Sequence, residues 1–115
     1  MVIVRGQIFW CGLDPVQGHE QGALRPVIII SADTYNLSRS PLVAVVPLTR
    51  APAKNPLHLE FSTKQTGLDA PSTALVDRAR FLDRRRLQGA PIGHLAAEAL
   101  SRLDHHLARV FGLAC

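Results

Sequence analysis

The chain has 115 residues, of which 47% are hydrophobic and 19% are charged. This length and composition favour one globular domain over residues 1–115 and exclude a disordered chain. Thirteen Lys and Arg residues against nine Asp and Glu residues give a net charge of +4, which favours a polyanionic partner.

Targeting signals are absent from the sequence. No window is long and apolar enough to cross a bilayer, and the first residues do not resemble a signal peptide. The two cysteines, Cys11 and Cys115, are too few for a disulfide framework and fit a reducing compartment. We therefore expect a cytoplasmic protein with no membrane contact.

Short strands separated by turn residues are predicted through the first two-thirds of the chain. Residues 7–13 form an apolar run typical of a strand covered on both faces, and a glycine-flanked polar loop follows at 18–22. Further strands are predicted at 27–31, 42–49 and 57–61, and a helical turn at 33–36. After a polar loop at 62–70, residues 72–82 carry one bent strand or two short ones.

In two of these strands the sequence predicts the surroundings of one particular residue. Pro47 has no backbone N–H, which predicts a sheet edge or a bulge in the strand at 42–49. The strand at 57–61 alternates apolar and polar residues, which predicts that His58 is exposed.

The last third of the chain has helical periodicity. Leu100, Leu103, Leu107, Val110 and Phe111 recur at the spacing of one helix face, and Gly112 is placed to end that helix. The fold class is therefore mainly β by architecture and α+β by composition: a small barrel or strongly curved sheet with a C-terminal helix.

The histidines and cysteines do not have the spacing of a metal site. No Cys/His pair is spaced as in zinc sites, and the adjacent His105 and His106 would point about 100° apart on a helix. We expect neither a metal nor a cofactor.

Four places could carry chemistry, and each has a simpler explanation. The loop containing His19, Glu20 and Gln21 is either an ordinary connection or a carrier of acid and base groups. Arg25 is either a catalytic cation or an exposed arginine where a strand begins. Thr49 could meet Arg25 across neighbouring strands or simply be a good strand residue.

The fourth place is arginine-rich. Five arginines lie in the segment 78–86, which is either a rim that binds phosphate groups or a solvated turn with Asp83 as its cap.

The order of these pieces resembles one family. The segments are Arg5-Gly6-Gln7-Ile8-Phe9-Trp10, Leu13-Asp14-Pro15, Gly18-His19-Glu20-Gln21-Gly22, Arg25-Pro26, Tyr35-Asn36, Val45-Val46-Pro47-Leu48-Thr49, the segment 77–83 and Ile92-Gly93. Together they resemble the MazF/PemK (Kid) family, the endoribonuclease toxins of type II toxin–antitoxin modules, from about residue 5 to residue 113.

The resemblance implies an SH3-like or CcdB-like barrel of five to seven strands with a C-terminal helix, usually a homodimer. It also implies sequence-specific, metal-independent cleavage of single-stranded RNA, commonly mRNA, and a cognate antitoxin as protein partner. By the same resemblance Arg25 and Thr49 are the catalytic pair, with Glu20 and His19 contributing. RNA contacts are expected from Gln21, Arg50, Asp77, Arg78 and Arg80.

Four positions depart from the family pattern: Gln7 replaces an acidic residue, Leu75 replaces an arginine of the Kid-like branch, and Arg78 and Phe81 replace the usual Gln and Thr after Asp77. Since a guanidinium is effectively never deprotonated, Arg25 suits charge stabilisation, and the proton transfer falls to His19 or Glu20. Two alternatives are a CcdB-like toxin that binds DNA gyrase and an RNA-binding module without catalysis.

Overall fold

The computed structural model describes residues 2–12 and 24–114. In this part of the chain the strands are β1 Gln7–Gly12, β2 Leu24–Ile29, β3 Leu42–Thr49, β4 Leu59–Phe61, β5 Ser72–Ala74, β6 Arg80–Asp83 and β7 Leu87–His94. The helices are α1 Asp33–Asn36, α2 Thr63–Thr66 and α3 Ala97–Phe111. Two 3-10 turns, Val76–Arg78 and Arg84–Arg86, flank β6.

All the strand pairings are antiparallel, in the order β4-β5-β3-β2-β1-β7, with β6 also paired to β3. Within the described residues no pairing joins the outer strands β4 and β7, so the sheet is open. The predicted mainly β fold of five to seven strands with a C-terminal helix is confirmed, but in the described residues the sheet does not close into the predicted barrel. The segment 72–82 contains two short strands, β5 and β6.

Pro47 lies in a central strand, so the expectation of a sheet edge was wrong. β3 pairs with β2 along one side, where Pro47 faces Val27. Along its other side β3 pairs with β6 as far as Val45 and with β5 from Leu48 onward. The missing N–H therefore falls where one neighbouring strand gives way to the next, and no ladder hydrogen bond is lost.

The sheet separates two buried clusters. On one face Ile8, Ile28 and Val46 pack with Leu103 and Leu107 of α3. On the other face the buried side chains are Ile3, Phe9, Cys11, Val27, Ile29, Val43, Val45, Leu82 and Leu87. Because side chains alternate along each strand, β1, β2 and β3 supply both clusters.

Helix α3 confirms the predicted periodicity. Leu103 and Leu107 are buried, Leu100 and Val110 are half-buried, and Phe111 is exposed. Gly112 ends the helix in the left-handed conformation, at φ 70°. None of the described helices has the length and apolar character needed to span a membrane.

Strand β7 was not predicted. It includes Gly89, Pro91 and Gly93, so it shows no alternation, and it is a strand because β1 pairs with it. Gly93 also lies against α2: a Cβ atom there would collide with the carbonyl oxygen of Thr66. The close approach of these two backbones requires glycine.

We expect Gly93→Ala to lower the free energy of unfolding by about 1–3 kcal/mol or more, because the added methyl group must push β7 away from α2. Urea unfolding measures this change. Gly12→Ala is the matched control, since a Cβ at Gly12 meets no atom of residues 2–12 and 24–114 within 4 Å. Equal stability of the two variants would show that β7 and α2 do not pack this closely.

Candidate active site

Two adjoining clefts meet at Arg25 and Thr49. The first cleft has a volume of about 390 Å³, and the second about 380 Å³. Arg25, Leu48 and Thr49 line both clefts. The structure therefore brings together the two residues that the sequence proposed as a pair.

The sheet explains this meeting. Val27 faces Pro47 in the antiparallel pairing of β2 with β3, and the same register continued by two residues sets Arg25 opposite Thr49. Arg25 is also held from its other side, since it pairs with Cys11 of β1. Opposite residues in antiparallel strands project from the same face, so both side chains reach the same place.

The side chains are available to a ligand. Arg25 is exposed, and its guanidinium makes no hydrogen bond or ion pair within residues 2–12 and 24–114. The Thr49 hydroxyl oxygen accepts a hydrogen bond from the backbone N–H of Ala51 at 3.2 Å. Its own proton can still be donated, for example to a phosphate oxygen.

Further arginines surround the pair. Arg78 and Arg80 line the second cleft, and Arg50 lines the first. Arg50 also forms an ion pair with Asp69, with 2.8 Å between Nη2 and Oδ1. The three arginines expected to contact RNA therefore all border the clefts.

The arginines of the segment 78–86 do not all have the same role. Arg84 donates hydrogen bonds to the carbonyl oxygens of Asn36 and Leu42, which ties β6 to the start of β3. Arg85 forms an ion pair with Asp83, and its side-chain hydrogen bonds lower the pKa of that carboxyl group to about 2. Asp83 also caps the 3-10 turn, as expected. Only the first two arginines of the segment face the clefts.

Asp77 does not line either cleft. Its carboxylate lies 3.0 Å from Nε2 of His58, whose side chain is only 8% exposed, so the prediction of an exposed His58 was wrong. Because Nδ1 of His58 accepts from the backbone N–H of Lys54 at 3.3 Å, Nε2 carries the proton and donates it to Asp77. This contact ties the loop after Thr49 to the 3-10 turn that contains Arg78.

Three candidate residues, His19, Glu20 and Gln21, lie outside the described residues. Conversely, two residues that line the first cleft had not been singled out. Trp10 was taken as part of a strand buried on both faces, but it is exposed to the cleft. Asp69 lay in a polar loop, and nothing in its local sequence distinguished it.

The chemistry of the described site is that of anion recognition. Arginine forks bind phosphate groups in a fixed geometry, and a hydroxyl donor beside them can hold one oxygen. Within residues 2–12 and 24–114 no group of three or more His, Cys, Asp or Glu side chains is arranged to hold a metal ion. Fold and site together define a small, mainly β protein with two adjoining clefts lined by arginines and a threonine hydroxyl.

Comparison with known proteins identifies the family. The sequence model described as "PemK-like, MazF-like toxin of type II toxin-antitoxin system" matches residues 4–111, and the chain belongs to this family. Endoribonuclease EndoA of Bacillus subtilis (strain 168) is 35% identical over 108 residues, covering 93% of this chain and 92% of that protein. The predicted family is confirmed.

Two solved structures from Deinococcus radiodurans resemble the fold. The crystal structure of MazF (Form-I) is 26% identical with a TM-score of 0.78, covering 98% of this chain and 99% of that one. The crystal structure of MazE–MazF (Form-II) contains a chain that is 25% identical with a TM-score of 0.82, covering 99% of both chains.

We expect His58→Ala to lower the free energy of unfolding by about 1–3 kcal/mol, because the nearly buried imidazole satisfies polar groups on two segments. Urea unfolding followed by circular dichroism measures the change. His105→Ala, at an exposed position on α3, should change stability by no more than about 0.5 kcal/mol. Matching values for both variants would mean that the His58–Asp77 contact does not hold the loop.

Proposed function

We propose that this chain cleaves single-stranded RNA without a metal ion, as the toxin of a type II toxin–antitoxin module, with Arg25 and Thr49 as the catalytic pair. The observation that carries the proposal is the position of these two side chains on the wall shared by two clefts. A phosphate held at this wall has one cleft on each side of it, so the RNA strand can continue into both clefts.

The toxin family and the similar endoribonuclease both support RNA as the substrate. The chain belongs to a toxin family, and a protein named as an endoribonuclease is 35% identical to it over nearly its whole length. The positive net charge of +4 suits a polyanion. These observations do not favour the alternative of a toxin that binds gyrase.

Cleavage begins with attack by the ribose 2′-oxygen on the neighbouring phosphorus. The 2′-OH loses its proton, the P–O5′ bond breaks, and the 5′-oxygen gains a proton as it leaves. The products are a 2′,3′-cyclic phosphate and a 5′-hydroxyl. In between, negative charge accumulates on the phosphoryl oxygens, and a fixed guanidinium stabilises that charge most effectively.

Arg25 and Thr49 are suited to stabilise the negative charge that accumulates on the phosphoryl oxygens. Arg25 supplies two parallel N–H donors and a charge that persists at any working pH. Thr49 donates its proton to a second oxygen, while the backbone N–H of Ala51 holds the hydroxyl in place. The positive charge that a metal would otherwise supply comes from the protein.

The proton transfers are assigned to His19 and Glu20. Asp69 is the only carboxylate among the described residues that line the two clefts, and it is paired with Arg50. A histidine or glutamate in the loop before Arg25 can have its pKa tuned toward neutrality, as proton transfer requires. Glu20 acting as base and His19 acting as acid is the simplest division.

The remaining contacts and partners follow from the same proposal. Arg50, Arg78, Arg80 and Gln21 contact the RNA, and Asp77 acts indirectly by holding His58. An endoribonuclease from a mycobacterial species, which has a similar fold, has been solved in complex with its cognate antitoxin. We propose a cognate antitoxin for this chain too, with an acidic segment that competes for the arginine-lined clefts. We propose that the chain acts in the cytoplasm, where mRNA is translated.

We expect Arg25→Ala to reduce kcat/KM for RNA cleavage at least about a hundredfold, because one fixed charge-stabilising group is lost. Thr49→Val should also lower the rate, and both variants should unfold at the wild-type urea concentration. Cleavage of a labelled single-stranded RNA in excess EDTA is the measurement. Arg39→Ala removes the same charge from an exposed position outside the clefts and should retain activity.

The substrate provides the decisive control. Once the cut position is mapped, an RNA with a single 2′-deoxynucleotide on its 5′ side should bind and remain intact. Cutting of that RNA, full activity of Arg25→Ala, or loss of wild-type activity in EDTA would each contradict the mechanism.

We also propose a homodimer. Phe81 and Phe111 are 56% and 58% exposed and border one apolar cleft together with Ile30 and Ala44, a surface that favours burial against a partner. Light scattering should give about twice the monomer mass of 12.5 kDa. Phe81→Asp should shift the protein toward monomer, and a monomeric wild type would refute the proposal.

A further inference from the structure

We infer that the 390 Å³ cleft is a nucleobase-binding subsite, in which Trp10 stacks on one base and the Arg50–Asp69 pair recognises a base that has an exocyclic amino group. This inference rests on the proposed function and deepens it. It concerns the first cleft only, whereas Arg78 and Arg80 line the second.

The lining of the first cleft differs from that of a site for phosphate alone. Its apolar side chains are Trp10, Leu24, Pro26, Leu48 and Leu68. Its polar side chains are Arg25, Thr49, Arg50, Asp69 and Ser72. The polar groups can hold the phosphate and a base edge, whereas the apolar surface fits a flat heterocycle better than a sugar–phosphate chain.

Trp10 provides a rigid stacking surface. It is 38% exposed, although its neighbours Phe9 and Cys11 are fully buried. Its backbone is paired on both sides, with Pro26 of β2 and with Gln88 of β7. Little freedom is therefore lost when a base stacks on the indole, and aromatic stacking is the common way in which proteins bind unpaired bases.

The Arg50–Asp69 pair gives the cleft a donor and an acceptor side by side. Nη2 of Arg50 and Oδ1 of Asp69 are 2.8 Å apart, and the side chains are 71% and 82% exposed. An ion pair this exposed contributes little to folding. Its groups remain able to bond to a base edge.

The carboxylate indicates which bases fit. Asp69 can accept a hydrogen bond from the amino group of cytosine, adenine or guanine, while Arg50 donates to a neighbouring ring or carbonyl acceptor. Uracil has no amino group to offer. Because Arg25 and Thr49 form the wall of the same cleft, the recognised base belongs to a nucleotide next to the cleaved phosphate.

The single tryptophan of the chain makes the subsite directly observable. The probe is a short RNA that carries the mapped cut site with one 2′-deoxynucleotide to prevent cleavage. Binding should quench Trp10 fluorescence, and replacement of one base near the cut by an abasic site should remove most of the quenching. Anisotropy of a labelled copy of this RNA reports binding independently.

Two variants of Trp10 test the stacking. Trp10→Ala should weaken binding of this RNA about five- to a hundredfold. Trp10→Phe should recover much of that loss, and this outcome separates stacking from a folding defect. Leu37→Ala, an exposed apolar residue outside both clefts, should bind as the wild type does.

Amino-deleted bases test the Asp69 contact. Inosine in place of guanosine, purine riboside in place of adenosine, or 2-pyrimidinone riboside in place of cytidine at the recognised position should lower wild-type kcat/KM about tenfold. In Asp69→Ala, which removes the acceptor, the two substrates should differ much less. An unchanged preference in Asp69→Ala would remove Asp69 from recognition.

The outcomes separate this inference from the proposed function. The wild type could cleave RNA and yet show no quenching of Trp10 fluorescence when it is saturated with the uncleavable RNA. This result refutes the base subsite and leaves the proposed nuclease activity standing. Quenching that depends on one base, without cleavage of the matching RNA, retains the subsite and refutes the catalytic proposal. If the protein shows no quenching and no cleavage, both proposals are refuted.

Discussion

The antiparallel pairing of β2 with β3 is the constraint on which the site depends. Arg25 lies where β2 begins, Thr49 where β3 ends, and the register set by Val27 and Pro47 aligns them. Between these ends both strands are anchored in two buried clusters. A shift of one residue would send Thr49 to the opposite face of the sheet and bury a different set of apolar side chains. Core packing therefore also fixes the relative positions of Arg25 and Thr49, as a preorganised site requires.

The division of the second side of β3 between β6 and β5 explains why there are two clefts. The second cleft lies on the β6 side, with Leu75, Arg78 and Arg80, and the first lies toward β5, with Ser72. Thr49 lies at the end of β3, the strand that borders both clefts. Phosphate contacts position a nucleic acid and base contacts select it. Because β3 changes its neighbour at Pro47, one strand borders a cleft next to each of the two neighbours.

The sequence predicted those parts of the fold whose pattern is local. The period of α3, the turn at Asp33–Asn36 and the cap by Asp83 each depend on residues a few positions apart. Strand β7, the central position of Pro47 and the burial of His58 depend on partners far away in the sequence. No local pattern could show that Gly93 faces Thr66 or that Asp77 faces His58. Arg25 and Thr49 were paired through the family resemblance, because their own residue types fit an ordinary strand equally well.

Charge alone would have misplaced the site. Arg84 and Arg85 are engaged with backbone carbonyls and with Asp83, so the densest run of arginines is partly structural. The acidic residue in the first cleft is more informative than the number of cations around it. A carboxylate beside Arg25 and Arg50 repels phosphate and lowers affinity for any polyanion. That cost is offset by a ligand that brings a hydrogen-bond donor to Asp69, and the exocyclic amino group of a base is such a donor. Asp69 thus converts an arginine-lined cleft of general affinity into one that discriminates between bases.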